Sequence, residues 1–364
     1  MRIAIRELVR RPGRFAVAGG AVTVLVLLLL FLGALLDGLF LGSSGAIRIN
    51  DADVFVFSDD ARDSFLRSKV DGELAADVQS VEGVESVSGL GLTLLGVGIP
   101  GEDEIANGAI IGYERGAGDL PQPPLPGQAY ADRRLQDLGA GVGDVVLVGP
   151  LEVPLEIVGW VTDSNYLLQA GIWVEPTTWR RVQNTNRPDA PVGDDQFQVL
   201  VVELEAGAQA ATAISDIDTV TSTTVSLTSN DTVFAIPGIR EQNRTFSTVI
   251  GVTLFVVGLV VALFFALLTL ERAGLYAVLK AVGASNRTLV AGVVVQAIVV
   301  AFGAFVIGGV LTWGLSLMIP PSVPVEFLAS RALFVLFGVV ITATVGGLVS
   351  LRRIVAIDPA SAIG

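Results

Sequence analysis

Long uninterrupted runs of apolar residues dominate the hydropathy pattern of this chain. Four runs contain no charged side chain, and they cover residues 15–36, 245–270, 288–325 and 332–351. A helix needs about 20 apolar residues to cross a bilayer core, so each run can span once. The third run is too long for one span, and the prolines at 320, 321 and 324 end its helix near residue 319. The pattern predicts four transmembrane helices, at 15–36, 245–270, 288–319 and 332–351.

The first run follows a basic segment, which is also how a secretory signal peptide begins. Its 22 uncharged residues exceed the roughly 7–15 residues of a signal h-region. The small residues at 42–46 offer a cleavage site, but the length of the run favours an uncleaved anchor.

Charge is distributed unequally between the polar segments that separate the runs. Residues 1–14 hold five Arg and one Glu, residues 271–287 hold three basic and one acidic side chain, and residues 352–364 hold two and one. Residues 37–244 hold 12 basic and 32 acidic side chains, whereas the turn at 320–331 is neutral. The four spans predict a multi-pass protein of a cell membrane, and we expect a bacterial one. Lys and Arg near the ends of spans stay in the cytoplasm, which sets the orientation. Both termini are expected inside, and 37–244 is expected outside.

Composition narrows the function classes. The 364 residues carry a net charge of −13, with only 16% charged side chains, against roughly 25% in a soluble domain. The acidic balance argues against nucleic-acid binding. The chain has no Cys and no His, which excludes disulfides, thiolate nucleophiles and imidazole-based catalytic or metal sites. Neither lysine, Lys69 or Lys280, stands in a Gly-Lys-Ser/Thr motif, so we predict a non-catalytic chain with no P-loop and no metal site.

Residues 37–244 are long enough for an α+β domain with its own core. Alternation predicts a strand at 53–58, and helical spacing predicts helices within 61–81 and at 130–138. The proline-rich segment 121–127 is a candidate subdomain boundary. Six aromatic residues could form a ligand platform, but core packing is favoured for them: Tyr113, Tyr130, Trp160, Tyr166, Trp173 and Trp179. The predicted fold class is a membrane α-helical protein with four transmembrane helices and an inserted extracytoplasmic α+β domain.

The segment 271–287 predicts a short amphipathic helix between the second and third spans. An apolar stripe follows i, i+3, i+4, i+7 spacing, and its members are Leu275, Val278, Leu279 and Val282. Arg272, Lys280 and Arg287 supply the polar face, and Gly283 stands where a left-handed residue ends a helix. Such a helix either lies in the lipid headgroups or docks into a groove of a cytoplasmic protein.

This segment, ERAGLYAVLKAVGASN, resembles the segment after the second span of MacB/FtsX-like permeases of ABC transporters. The tail RRIVAIDPASAI, the amphipathic start RELVRRPGRF and the outside segment GDVVLVGPLEVPLEIVGW are also similar to that family. The order of one span, a large outside domain and three spans matches its small four-span DevC/HrtB-like members, so the resemblance covers essentially the whole chain. Leu275 and Tyr276 replace the usual Glu-Ile, which shifts the expected acidic contact to Glu271.

The resemblance implies a mechanotransmission permease that works as a homodimer beside two copies of a separate ABC ATPase. ATP and Mg²⁺ would bind to that ATPase, and this chain would hold no cofactor. The implied ATPase-coupling residues are Glu271, Arg272, Leu275, Tyr276, Val278, Leu279, Lys280, Val282, Gly283, Asp358 and Pro359. The implied cytoplasmic anchor at 1–14 uses Arg6, Arg10, Arg11 and Arg14, in contact with membrane lipids.

Two functions fit this resemblance. The first is efflux of an amphiphile, such as an antibiotic, a peptide, a lipid or haem, with candidate substrate contacts at Asp37, Tyr166, Arg240, Glu241 and Arg244. The alternative is an FtsX-like signalling subunit that activates a cell-wall hydrolase or another extracytoplasmic partner. The size of the outside segment favours cargo handling.

Overall fold

The computed structural model describes residues 12–271, 274, 278, 282, 283, 285–320 and 323–355. The chain divides into a membrane unit, Met1–Gly38 with Gln242–Gly364, and an inserted unit, Leu39–Glu241. In chain order the helices and strands are α1 (Pro12–Arg48), β1 (Val54–Ser58), β2 (Val70–Asp71), α2 (Leu74–Gln79), β3 (Val84–Gly98), β4 (Ile105–Tyr113), β5 (Gln128–Asp132), α3 (Arg133–Asp137), β6 (Val145–Val148), β7 (Val153–Val161), β8 (Ala170–Val174), α4 (Pro176–Asn186), β9 (Gln196–Phe197), β10 (Val199–Leu204), α5 (Ala210–Thr221), β11 (Thr224–Thr228), α6 (Ser229–Ala235), α7 (Ile239–Glu271), α8 (Asn286–Ser316) and α9 (Ala329–Val355).

Four helices among the described residues, α1, α7, α8 and α9, are long and apolar enough to cross a membrane. Their buried faces form one apolar cluster, and small residues bring the helices close together. A Cβ at Gly346 would lie 2.5 Å from the carbonyl oxygen of Gly258, and one at Gly308 would lie 2.9 Å from a methyl carbon of Val26. Close packing of this kind needs no polar side chain at the helix contacts.

Helices α1 and α7 extend beyond the spans predicted from the apolar runs, whereas α8 ends at Ser316, before the predicted end at 319. Helix α1 continues past the predicted end at residue 36 to Arg48, and α7 begins at Ile239 rather than at 245. Asp37 does not end α1, because its charge is paired inside the membrane unit. The residues at 42–46, which offered the cleavage-site alternative, are buried helical residues of α1.

The inserted unit is built on a nine-stranded sheet in the order β11-β1-β10-β3-β4-β8-β5-β7-β6. A further pairing of β3 with β6 closes six of these strands into a small barrel. Strand β8 runs parallel to β4, and β7 runs parallel to β5. The barrel is filled by buried side chains, which include Ile110, Val148, Leu155, Ile172 and Trp179. The predicted fold class, four membrane helices with an inserted α+β domain, is confirmed.

Two predicted helices are shorter than expected, and the predicted boundary at 121–127 lies inside one unit. Within 61–81 only α2 is α-helical, because Arg62 and Asp63 adopt positive φ values and β2 pairs with β9. The first residues of the predicted helix at 130–138 belong to strand β5, and the helix itself begins at Arg133. Asp132 caps α3 by accepting a hydrogen bond from the backbone N–H of Arg134. The segment 121–127 joins two strands of one sheet inside one compact unit, so it is not a subdomain boundary.

The aromatic side chains of the inserted unit pack in its core. Tyr113, Tyr166, Trp173 and Trp179 are all buried, and the rings of Tyr113 and Trp173 meet edge to face at 5.4 Å. Core packing is therefore confirmed for these four residues.

Candidate coupling and substrate sites

The segment between α7 and α8 presents apolar side chains outward. Gly274 and Val278 are helical, and the N–H of Val282 donates to the carbonyl oxygen of Val278 at 3.0 Å. The side chain of Val278 is 51% exposed, and that of Val282 is 82% exposed. At both positions, therefore, the apolar stripe predicted from spacing is uncovered by the rest of the described chain.

Two residues between this segment and α8 have the conformations typical of helix caps. Gly283 has a φ of +101°, so its predicted left-handed conformation is confirmed. Ser285 then begins α8, and its side chain accepts a hydrogen bond from the backbone N–H of Thr288 at 3.3 Å. Gly283 and Ser285 thus lie between the exposed valines and the third span.

Several predicted coupling and anchor residues lie outside the described residues. They are Arg6, Arg10, Arg11, Arg272, Leu275, Tyr276, Leu279, Lys280, Asp358 and Pro359. Glu271 is the last residue of α7, and Arg14 lies in the first turn of α1. The coupling and anchoring roles of all these residues remain predictions.

Asp37, a predicted substrate contact, is an ion-pair residue inside the membrane unit. The Nη2 atom of Arg331 lies 2.6 Å from Oδ1 of Asp37, and its Nε lies 3.2 and 3.1 Å from Oδ1 and Oδ2. The side chain of Asp37 is only 6% exposed. Both carboxylate oxygens are therefore engaged by one guanidinium, and the substrate role of Asp37 stays a prediction.

The backbone beside this pair is packed just as tightly. A Cβ at Gly38 would lie 2.3 Å from the carbonyl oxygen of Pro324, and one at Gly33 would lie 2.9 Å from Cγ of Arg331. The N–H of Glu326 donates to the carbonyl oxygen of Ala34 at 3.0 Å. The segment 324–331 therefore rests on one face of α1, which two glycines keep clear of side chains.

Within the inserted unit, the end of α1 has a second close contact, with the loop at 163–168. A Cβ at Gly45 would lie 2.3 Å from the carbonyl oxygen of Asp163. The N–H of Ala46 donates to the carbonyl oxygen of Asn165 at 2.8 Å, and the N–H of Leu168 donates to that of Gly42 at 3.0 Å. The small residues at 42–46 are therefore a packing surface.

Tyr166, a second predicted substrate contact, is buried in the core of the inserted unit. It is 2% exposed, and its ring packs against that of Phe65 at a centroid distance of 5.9 Å. Burial raises the pKa of the Tyr166 hydroxyl well above its usual value. A neutral phenol enclosed in the core has no surface to offer an external ligand.

Two of the predicted substrate residues do come together, at an open groove of about 560 Å³ in the inserted unit. Arg240 and Glu241 line it with Arg62 and Asp63, and Phe234 is among the other lining residues. The sequence did not predict that Arg62 and Asp63 line this groove. Their backbones have positive φ values of 49° and 58°, and such a conformation cannot be predicted at residues other than glycine. Arg244 belongs to the membrane unit and is not part of this groove.

Comparison with known proteins gives a match in the membrane portion. Residues 247–359 match the family described as FtsX-like permease C-terminal. An uncharacterized ABC transporter permease of Mycobacterium tuberculosis (strain H37Rv) is 42% identical over 122 residues, which is 32% of this chain and 33% of that protein. The hemin transport system permease protein HrtB of Staphylococcus epidermidis (strain ATCC 12228) is 25% identical over 144 residues, 40% of each chain. The match thus spans about a third of the length of the mycobacterial relatives.

Two solved structures resemble part of the chain at low similarity. The periplasmic region of MacB from Actinobacillus actinomycetemcomitans has a TM-score of 0.38 and 12% identity, over 52% of this chain and 94% of that one. The extracellular domain of YknZ from Gram-positive bacteria has a TM-score of 0.33 and 12% identity, over 49% and 98%.

Proposed function

We propose that the chain is an FtsX-like permease and the permease subunit of an ABC transporter, because residues 247–359 match the FtsX-like permease C-terminal family. In this proposal two copies of the chain assemble with two copies of a separate ATPase, which binds ATP and Mg²⁺. Hydrolysis moves the permease helices, and the inserted unit responds by extruding an amphiphile. The observation that carries the proposal is the family match, which includes both exposed valines of the segment between α7 and α8.

The physical basis of coupling is the apolar stripe on that segment. Val278 is helical, Val282 lies in the following turn and both are exposed, while Gly283 is left-handed and Ser285 caps the start of α8. Burying an exposed valine side chain in a partner groove stabilises a complex by about 1.5 kcal/mol or more. A docked helix of this kind can be pushed from the cytoplasmic side, because it connects directly to two spans.

Replacing Val278 by Asp tests this docking. We expect Val278→Asp to abolish co-purification of the partner ABC ATPase that this proposal requires, since the carboxylate would have to be buried unpaired. The matched control is Val220→Asp, because Val220 lies on α5 of the inserted unit and is also 51% exposed. Wild-type recovery of the ATPase with Val278→Asp, together with unchanged ATP turnover, would contradict the proposal.

For the substrate we propose an amphiphile whose polar head binds in the groove lined by Arg240 and Glu241. Charged groups of both signs line this groove beside the aromatic ring of Phe234, which suits a head with an attached apolar body. The named probes are hemin, a peptide antibiotic and a lysolipid, each scored by stimulation of ATP turnover in the reconstituted complex. We expect Arg240→Gln to weaken the response to one of them at least fivefold, and Arg115→Gln, in an exposed ion pair elsewhere in the inserted unit, to leave it unchanged.

The signalling alternative gives a different result in the same complex. A secreted cell-wall hydrolase that co-purifies with the inserted unit, with no probe stimulating ATP turnover, would replace transport by transmembrane signalling. Loss of tolerance to hemin on deletion of the gene would instead identify haem as the cargo.

A further inference from the structure

Asp37 and Arg331 occupy equivalent positions at the edges of two spans. Asp37 directly follows the uncharged run 15–36, and Arg331 directly precedes the run 332–351. The two residues are 294 positions apart, yet the guanidinium contacts both carboxylate oxygens. The pair therefore joins α1 to α9 at the point where each helix leaves its uncharged stretch.

The geometry of the pair restricts orientation as well as distance. Arg331 uses two different nitrogens, Nε and Nη2, and a guanidinium bound at two points cannot rotate as an ammonium group can. The carboxylate is nearly inaccessible to water, so separating the pair would leave a buried charge uncompensated. The close contacts of Gly38 with Pro324 and of Gly33 with Arg331 also oppose rotation of α1 about its own axis. Rotation would bring larger side chains of α1 into these contacts, where even a Cβ atom has no room.

We propose that Asp37 and Arg331 are positioning residues of the transport cycle, and that their two-point ion pair makes the outer ends of α1 and α9 move as one body. This inference rests on the proposed function. It matters for that function because residues 39–48 of the same helix α1 belong to the inserted unit. A displacement of α9 in the membrane unit is then delivered to the helix that continues into the inserted unit.

Distance measurements between two spin labels test the proposal. The chain has no Cys, so Leu28→Cys on α1 and Phe334→Cys on α9 introduce the only labelling sites. Both side chains are partly exposed, at 40% and 53%, and neither belongs to the pair. The full-length protein is reconstituted in nanodiscs, and pulsed electron paramagnetic resonance records the distance distribution at rest and, with the ATPase, in an ATP-trapped state.

Labelled chains are diluted with unlabelled chains, so that the distances recorded lie within one protomer of the proposed dimer. With the Asp37–Arg331 ion pair intact, we expect one narrow distribution with the same mean distance in both states. Asp37→Asn and Arg331→Lys should broaden it, and both should lower transport at least fivefold while ATP turnover continues. Arg331→Lys keeps the charge but loses the two-point geometry, so it separates positioning from simple charge neutralisation. It also replaces Asp37→Asn if that variant fails to reach the membrane. Arg115→Gln, which breaks the exposed 3.4 Å pair with Glu203, should change neither readout.

Two results would overturn the proposal: a shift of the mean distance on ATP trapping with the pair intact, or a wild-type distribution in Arg331→Lys. The resting measurement requires no ATPase. If no ATPase associates with the chain, the proposed function fails, but the resting distributions still decide whether the pair fixes α1 against α9.

Discussion

A single carboxylate defines the start of helix α4 in the inserted unit. Glu175 accepts the backbone N–H groups of Thr177 at 2.8 Å and Thr178 at 2.7 Å, and it also accepts both of their hydroxyls. Partial burial opposes ionisation, but these hydrogen bonds outweigh it and lower the pKa of Glu175. The ionised side chain therefore stabilises the folded state.

This cap makes stability depend on pH in one direction. Because the folded pKa is lowered, the stabilisation is present above the unfolded pKa of roughly 4.3 and is lost as pH falls through the folded value. We expect Glu175→Gln to lower the free energy of unfolding by about 1 kcal/mol at pH 7, and this difference should shrink below pH 4. Near-UV circular dichroism during thermal unfolding measures it. The exposed Glu82→Gln is the control, and a pH-independent difference would contradict the prediction.

Residue roles could be predicted from the sequence only where the determining partner is local. The left-handed Gly283 follows from its place after a helical stripe, and the structure has it at a φ of +101°. The roles of Asp37 and Tyr166 could not be read in the same way, because Arg331 and Phe65 reach them from distant parts of the chain. From the sequence alone, a charged residue beside a span or an aromatic residue near a turn can be interpreted as a ligand contact. Only the structure shows which residues pack against it.

At the scale of elements, strands β3 and β4 form a seat for one large side chain. Gly91 and Gly112 are direct partners in the β3–β4 register. A Cβ at Gly91 would lie 2.3 Å from Cζ2 of Trp179, and one at Gly112 would lie 2.5 Å from its Cβ. The indole N–H of Trp179 donates to Oγ1 of Thr93 at 2.9 Å, which fixes the ring in that seat. Adjacent glycines on two strands thus make room for the indole ring of α4.

Adding one methyl group to this seat should be costly. We expect Gly91→Ala to lower the free energy of unfolding by about 1–3 kcal/mol through overpacking against Trp179. Gly98→Ala, on the same strand, is the matched control, because its Cβ would lie 3.7 Å from the nearest atom. Chemical unfolding of the two variants, followed by tryptophan fluorescence, makes the comparison. Equal stability of the two variants would show that the seat is not tight.

The elements most reliably predicted are those whose periodicity is long. The four membrane helices follow from apolar runs, because a single segment satisfies all its own backbone hydrogen bonds inside a bilayer only as a helix. The helix expected within 61–81 shows the opposite case. There the apolar spacing arises from residues buried by tertiary contacts, such as Val70 on β2, and two left-handed residues interrupt the backbone. Barrel closure by β3 and β6 depends on long-range pairing that a single sequence does not display.

At the scale of the whole molecule, every account of coupling depends on which side of the membrane each segment occupies. The short segments at 1–14, 271–287 and 352–364 are net positive, whereas 37–244 is strongly acidic. Because positive segments are retained in the cytoplasm, the exposed valines between α7 and α8 should face the inside and the barrel should face the outside. An ATPase could contact Val278 and Val282 only with this orientation.

Cysteine labelling tests the orientation directly, since the natural chain contains no Cys to react in the background. Leu151 in the β6–β7 hairpin is 63% exposed, and Val282 is 82% exposed, so a thiol at either site should be accessible to reagent on its own side. In intact cells a membrane-impermeant maleimide should label Leu151→Cys and leave Val282→Cys unlabelled until the membrane is permeabilised. Labelling of Val282→Cys in sealed cells would put the segment out of reach of a cytoplasmic ATPase. Coupling through that segment would then be impossible, whatever the family match implies.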